Sequence, residues 1–291
     1  MIGTWSLLAL LVMARTSGAQ SAAAEQPVML ITGSTDGLGR EVARRLAATG
    51  AHVIVHGRNR DRGMALVREI EESGKGSARF YAADFASLAE VRSFADAVLR
   101  DYDRLDVLIN NAGIWLSAED GRRTSTDGHE MHFAVNYLSG FLLTRLLLPR
   151  LVASAPARLV NVASGAQQPI RFDDVMLERG YSDGRAYAQS KLAQVLFTVD
   201  LGRELEDAGV VVSAVHPSTF MNTGMVLSRG IEPRSSVAEG AEAVVRLVTE
   251  PDLRSGQYFQ VLTPARAHAQ AYDVEAREQL RLLSLRLTGL R

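Results

Sequence analysis

A β-branched run that ends in glycines and resumes as a helix leaves a chain few ways to fold. Residues 28–48 read in that way: VMLIT, then GSTDGLG, then an amphipathic stretch over 39–48. Gly33, Gly37 and Gly39 fall where strand becomes helix. A tight strand-to-helix turn needs residues without a Cβ, and the helix it opens presents free amides and the positive end of its dipole. Such a turn is suited to phosphate, and in this context to the pyrophosphate of a dinucleotide.

The same alternation continues downstream. Strand-like runs at 52–56, 78–83, 107–110, 158–162, 210–215 and 258–261 are separated by helical patterns, among them 60–72, 88–101 and 186–208. In the last of these Ala188, Leu192, Val195, Leu196, Val199 and Leu205 recur at helical spacing. Strands alternating with helices of this length predict right-handed crossovers. The expected fold is α/β: a Rossmann-type, doubly wound, mostly parallel sheet of seven strands with helices on both faces. No linker or repeat interrupts it, so residues 26–291 read as a single domain, with a last helix over 272–287.

Residues 1–25 stand apart. An apolar run from Trp5 to Ala14 and a small-residue tract look signal-like, but no Lys or Arg precedes the run, and ten apolar residues are too few to span a bilayer. A disordered leader or a start placed too early, with Met13 as the true first residue, fits as well. Elsewhere composition excludes more than it selects. The net charge of −1 argues against a nucleic-acid surface, and the absence of Cys removes disulfides, thiolate metal sites and a Cys nucleophile. No His/Asp/Glu spacing suggests a metal site.

Lysine is nearly absent: Lys75 and Lys191 are the only two, and Lys75 sits in a loop-like SGKGS. Lys191 follows Tyr187 by four residues, one helical turn away on the same face. With 7 Tyr and two Lys in 291 residues, chance supplies such a pair about 5% of the time. Upstream, in order, stand NNAG at 110–113, Asn136 closing HFAVN, and Ser164 closing VNVAS. At the end of the second strand, where an NAD site would place an acid, the chain has Gly57 and Arg58. A guanidinium suits a 2′-phosphate, so Arg58 favours NADP(H) over NAD(H); Arg60 and Arg62 read as a solvated helix start.

Taken together, TGxxxGxG at 32–39, Asp84 after the third strand, NNAG, Asn136, Ser164, Tyr187 and Lys191 resemble the short-chain dehydrogenase/reductase family over almost the whole length from 28 to about 290. The long gap between Ser164 and Tyr187, the stretch AYAQSKLAQVLFT and the C-terminal YDVEAREQLRLLSLRLTGL are most similar to its retinol-dehydrogenase-like and carbonyl-reductase-like members. The resemblance implies a catalytic set of Asn136, Ser164, Tyr187 and Lys191. It implies a cofactor lying along Gly33, Ser34, Thr35, Asp36, Gly37, Leu38 and Gly39. The cofactor then passes Arg58, Asp84, Phe85, Asn111, Ala112 and Gly113, and ends at Tyr187, Lys191, Pro217 and Thr219. Tyr187 would act as acid/base, made ready by the Lys191 ammonium, since a free phenol ionises near pH 10. Ser164 would bond the carbonyl oxygen, and Asn136 would hold a water linking the lysine to solvent. Asp84 would meet adenine or, alternatively, cap the helix starting at 88. Asn161, His216, His129 and His132 read as structural or ordinary polar positions.

The chain departs from the family pattern after the sixth strand. There HPSTFMNTG carries Ser218 in place of Gly and Asn222 in place of Thr, leaving Thr219 and Thr223 as alternatives. Asp36 also stands where a basic residue would favour NADP. Trp115, Phe172, Met176, Phe220, Met221, Met225 and Val226 supply apolar surface, which fits a hydrophobic ketone, aldehyde or secondary alcohol. A non-catalytic dinucleotide sensor is the rival reading, but such proteins typically lose the Tyr or the Lys; a sugar-nucleotide epimerase needs a larger C-terminal part. The resemblance implies a homodimer or homotetramer. The intracellular cofactor favours the cytoplasm, with membrane association or export through the leader as the alternative.

Overall fold

In the computed structural model, which describes residues 26–290, the β-branched runs pair into one sheet of order β3-β2-β1-β4-β5-β6-β7-β8. Its strands are β1 (Val28–Ile31), β2 (His52–Gly57), β3 (Ser77–Ala82), β4 (Val107–Asn110), β5 (Ala157–Val162), β6 (Val210–His216), β7 (Gln257–Gln260) and β8 (Thr263–Ala265). The first seven are parallel as expected. A short antiparallel β8, unread in the sequence because TPA lacks any strand pattern, adds an edge to β7.

Alternation along the strands divides the core in two. In β1, Val28 and Leu30 face one layer while Met29 and Ile31 face the other. The second layer packs against α1 (Gly37–Ala47), α2 (Arg60–Glu72) and α7 (Val237–Thr249). The first packs against α3 (Leu88–Asp101), α4 (Ser139–Ala153), α5 (Asp183–Glu204) and α8 (Val274–Thr288). A further short helix, α6 (Gly224–Leu227), follows β6. Polar side chains fix the helix starts: Asn59, Ser87 and Ser182 accept from amides in the first turns of α2, α3 and α5, and Ser236 with Glu239 closes a capping box on α7.

Strand order reverses between β1 and β4, which places a crevice beyond the carboxyl ends of these strands. Leading into α4, residues Phe133–Leu138 form a wide π-helical turn, all six buried. Among the described residues no helix is long and apolar enough to cross a membrane. The expectations for the leader lie outside the described residues.

Candidate active site

The crevice is a cleft of about 1570 Å³ along the carboxyl edge of the sheet. At one end the glycine turn is held by the chain crossing behind it. Thr32 Oγ1 accepts from the Asn111 and Ala112 amides (2.9 and 3.0 Å), and Asn111 Nδ2 donates to the Thr32 and Gly33 carbonyls. A Cβ on Gly33, where φ is +62°, would lie 2.8 Å from Ala112 Cα; one on Gly39 would lie 2.4 Å from Asn111 Nδ2. Glycine is therefore required for the turn to close, and the first-turn amides of α1 at Gly37, Leu38 and Gly39 border the cleft. This cradle fits a dinucleotide pyrophosphate. Ser34 does not take part as expected: it is fully buried, with its hydroxyl donating to the Ile31 carbonyl at 2.8 Å, turned away from the cleft.

His56 supports the turn from below. Its Nδ1 accepts from the Gly33 amide (3.1 Å), its ring lies between Phe85 and Phe94, and burial lowers its pKa to about 3, so it stays neutral. Arg58 and Asp84 line the outer wall together as an ion pair at 3.8 Å, with Arg58 70% exposed. Ser87, not Asp84, caps α3, and Asp84 Oδ1 instead accepts from the Ala86 amide at 3.0 Å. Asp36 caps α1 through the Gly37 amide and pairs with Arg62 at 2.7 Å. Arg62, read from sequence as a solvated position, thus belongs to the cleft wall, and the wall carries two acids and two guanidinium groups.

At the other end α5 delivers Tyr187 and Lys191. Burial pushes the Tyr187 phenol above its ordinary value, and the nearby Ser164 hydroxyl acts in the opposite direction. Lys191 is 4% exposed, donates to the Val162 carbonyl (2.8 Å) and Gln194 Oε1 (3.0 Å), and is lowered by burial to about 7. Its Nζ lies 5.8 Å from the centre of the Tyr187 ring. The expectation that the ammonium depresses the phenol is therefore corrected for this arrangement. The amine bonds to two oxygens and burial lowers its own pKa, so the burial that raises the phenol prevails.

Asn136 sits behind the cleft wall in the π-helical turn. It accepts from the Ile114 amide (2.7 Å) and donates to the Ile114 carbonyl and to Ser190 Oγ. Its Oδ1 and Lys191 Nζ lie 3.3 and 3.5 Å from where a Cβ of Gly113 would be, so the absent side chain leaves these two groups facing one space. In the loop after β6, Pro217 and Thr219 line the cleft, with Thr219 Oγ1 paired to His216 Nε2 at 3.0 Å. Thr223 packs its methyl 3.3 Å from the Cβ position of Gly37 and so faces the glycine turn.

Trp115, Phe220, Met221, Met225 and Val226 line the cleft as expected; Phe172 and Met176 do not. The long insert folds back on α5 and the core, tied by Gln189 to the Arg171 amide and Val175 carbonyl, so only its two ends reach the cleft. Sequence reading also missed Glu130, and it read His132 as an ordinary polar position rather than as the partner of that acid. Both are buried; His132 Nδ1 meets Glu130 Oε1 at 2.8 Å, and its Nε2 accepts from the Leu116 amide. The His132 ring lies edge-on to Tyr187, with centroids 6.4 Å apart.

Residues 27–232 match the model of a family described as short chain dehydrogenase. Retinol dehydrogenase 12 of Homo sapiens is 37% identical over 277 residues, covering 91% of this chain and 87% of its own length. Retinol dehydrogenase 13 of Homo sapiens is 35% identical over 298 residues, covering 94% and 89%. Among solved structures, a metagenomic short-chain oxidoreductase in complex with NADP superposes with a TM-score of 0.63 at 26% identity, covering 81% of this chain and 96% of its own. A short chain dehydrogenase from Salmonella enterica serovar Typhi reaches 0.68 at 26% identity, covering 82% and 96%.

Proposed function

The chain belongs to the short-chain dehydrogenase family of NAD(P)-dependent oxidoreductases, and from that premise we propose that it interconverts a hydrophobic ketone or aldehyde and its alcohol with NADP(H), Tyr187 moving the proton. The observation that carries this reading is that Ser164, Tyr187 and Lys191 line one cleft together, with Lys191 Nζ 5.8 Å from the centre of the Tyr187 ring. A bound nicotinamide would give or take the hydride at the carbonyl carbon. Tyr187, protonated at neutral pH, donates its proton to the carbonyl oxygen in reduction and accepts one in oxidation. Ser164 donates to the same oxygen as charge grows on it. Lys191, held in position through Val162 and Gln194, would bind a ribose hydroxyl of the cofactor and stabilise the phenolate once formed.

Preference for the 2′-phosphate rests on Arg58 and Arg62, which the phosphate would draw away from Asp84 and Asp36. The apolar wall of Trp115, Phe220, Met225 and Val226 supports a hydrophobic substrate, in keeping with the names of the retinol dehydrogenases it resembles. The test is Tyr187→Phe. Turnover of NADPH with hydrophobic ketones should fall by roughly 10²–10⁴ while NADPH binding, read by fluorescence titration, stays within a few fold. Lost binding with retained turnover per bound cofactor would overturn the role given to Tyr187. For the cofactor, Arg58→Leu should reduce the NADPH-over-NADH preference by about tenfold, the loss of one charge-assisted contact; an unchanged ratio would remove Arg58 from the reading.

A further inference from the structure

Trp115 reads in the sequence as apolar surface alone, yet the structure packs two other segments onto it. Its indole stacks on the Tyr187 ring, with centroids 5.1 Å apart and planes 28° apart. The guanidinium of Arg229 lies 4.1 Å from the indole centre. Arg229 follows α6 in the segment whose Met225 and Val226 line the cleft, and it reaches two further partners. It donates to the Leu116 carbonyl, and Nη2 donates to Asp183 Oδ2 at 2.7 Å. Asp183 is the first residue of α5, the helix that carries Tyr187.

An exposed ion pair would mean little. Here both side chains are only 17% exposed, and the planar guanidinium meets a carboxylate, a carbonyl and an aromatic face at once, which a lysine ammonium cannot reproduce. The far side of the same contact is also fixed, since the Leu116 amide donates to His132 while Asn136 holds both polar backbone groups of Ile114. Residues 114–116 are thus pinned from below by the π-helical turn and from above by Arg229. The closed arrangement leaves Arg229 Nε and Trp115 Nε1 buried without a protein partner. Those bare donors offset part of what the contact gains.

We infer that Arg229 is a positioning residue that latches the 222–235 segment over the Tyr187 end of the cleft, through Asp183 and Trp115, and so fixes the wall against which the substrate's apolar body packs. The kinetic part of this inference rests on Tyr187 being the acid/base; the latch itself does not.

Trp5 and Trp115 are the only tryptophans, so the full chain carrying Trp5→Phe reports on Trp115 alone. In that background Arg229→Leu should raise the acrylamide quenching constant of the indole by about twofold or more as the latch opens, and Arg229→Lys should fall between the two. Asp183→Asn should act in the same direction, and the double variant should exceed neither single change appreciably, because either loss frees the segment. In kinetics, KM for a hydrophobic ketone should rise roughly three- to tenfold with KM for NADPH and kcat nearly unchanged, the signature of lost substrate packing. Unchanged quenching in a folded Arg229→Leu protein, or a fall in kcat with KM unmoved, overturns the inference. Should Arg229→Leu fail to fold, unchanged quenching in both Arg229→Lys and Asp183→Asn overturns it equally. If the parent chain turns over no ketone at all, the enzymatic reading fails, and the quenching comparison still decides the latch.

Discussion

Enclosing the Lys191 amine between β5 and α5 strips it of water, and its bonds to Val162 and Gln194 only partly replace what is lost. Its pKa falls from 10.5 to about 7 in the fold. Between those values the unfolded chain binds more protons than the folded one, so the free energy of unfolding rises with pH across that window. Below about 7 both states carry the proton and the burial penalty is felt in full. Urea denaturation of the cofactor-free protein near pH 7 and near pH 10 should show this rise, and Lys191→Met should flatten it; equal pH slopes in the two proteins would contradict the assignment. The Glu130–His132 pair predicts a different loss. His132→Ala leaves a buried carboxylate without its charge-assisted partner and the Leu116 amide unbonded, for a destabilisation of about 2–4 kcal/mol in the same assay. Tyr187, Lys191 and Ser164 were legible because spacing on one helix and position at a strand end are local properties. Glu130 and His132 were not, because residues two apart do not meet on a regular helix. They meet here at the entry to the π-helical turn, which no periodicity announces.

Two helices were legible because a cap and a period coincide, although α7, which carries both, was not singled out. The expected bounds of α2 and α3 agree with the structure because Asn59 and Ser87 mark their first turns and their apolar residues keep one face. By contrast, α4 was not singled out, since its LLTRLLLP is apolar nearly all round and carries little face preference. The short α6 has no side-chain cap, so the segment that closes the cleft read only as a loop. The glycine turn is the element whose geometry can be tested most directly. Gly39→Ala would press a methyl to 2.4 Å from Asn111 Nδ2 and the Gly33 carbonyl, and should cost more than about 2 kcal/mol while weakening NADPH binding. Gly184→Ala, also beside the cleft but with nothing within 4 Å of the new methyl, should be neutral or stabilising by about 0.5–1 kcal/mol. Thermal melts with and without NADPH separate the two cases. Similar losses in both would mean that general helix effects, not the close approach to NNAG, explain the first.

For the molecule as a whole, the surface that α4 and α5 would otherwise expose is covered by the chain's own C-terminal helix. Tyr137, Phe141 and Phe197 form an aromatic cluster with ring centroids 5.1–6.3 Å apart, and α8 packs over it. Tyr137 Oη shares a 2.7 Å hydrogen bond with Ser284 Oγ, Arg281 pairs with Asp200 of α5 at 3.1 Å, and Arg92 of α3 reaches the Thr288 carbonyl at the helix end. A polar hydroxyl inside an aromatic cluster is tolerated only when bonded, so α8 does more than cover apolar area: it satisfies Tyr137. Ser284→Ala should therefore cost about 1–3 kcal/mol, and adding Tyr137→Phe should recover part of that loss, because both partners of the bond are then gone. Removing residues 274–291 should go further, lowering the melting temperature and producing concentration-dependent association in sedimentation, since among the described residues α8 is what covers this aromatic face. A truncated chain as stable and monodisperse as the full one would show that α8 is an appendage rather than the closing wall of the core.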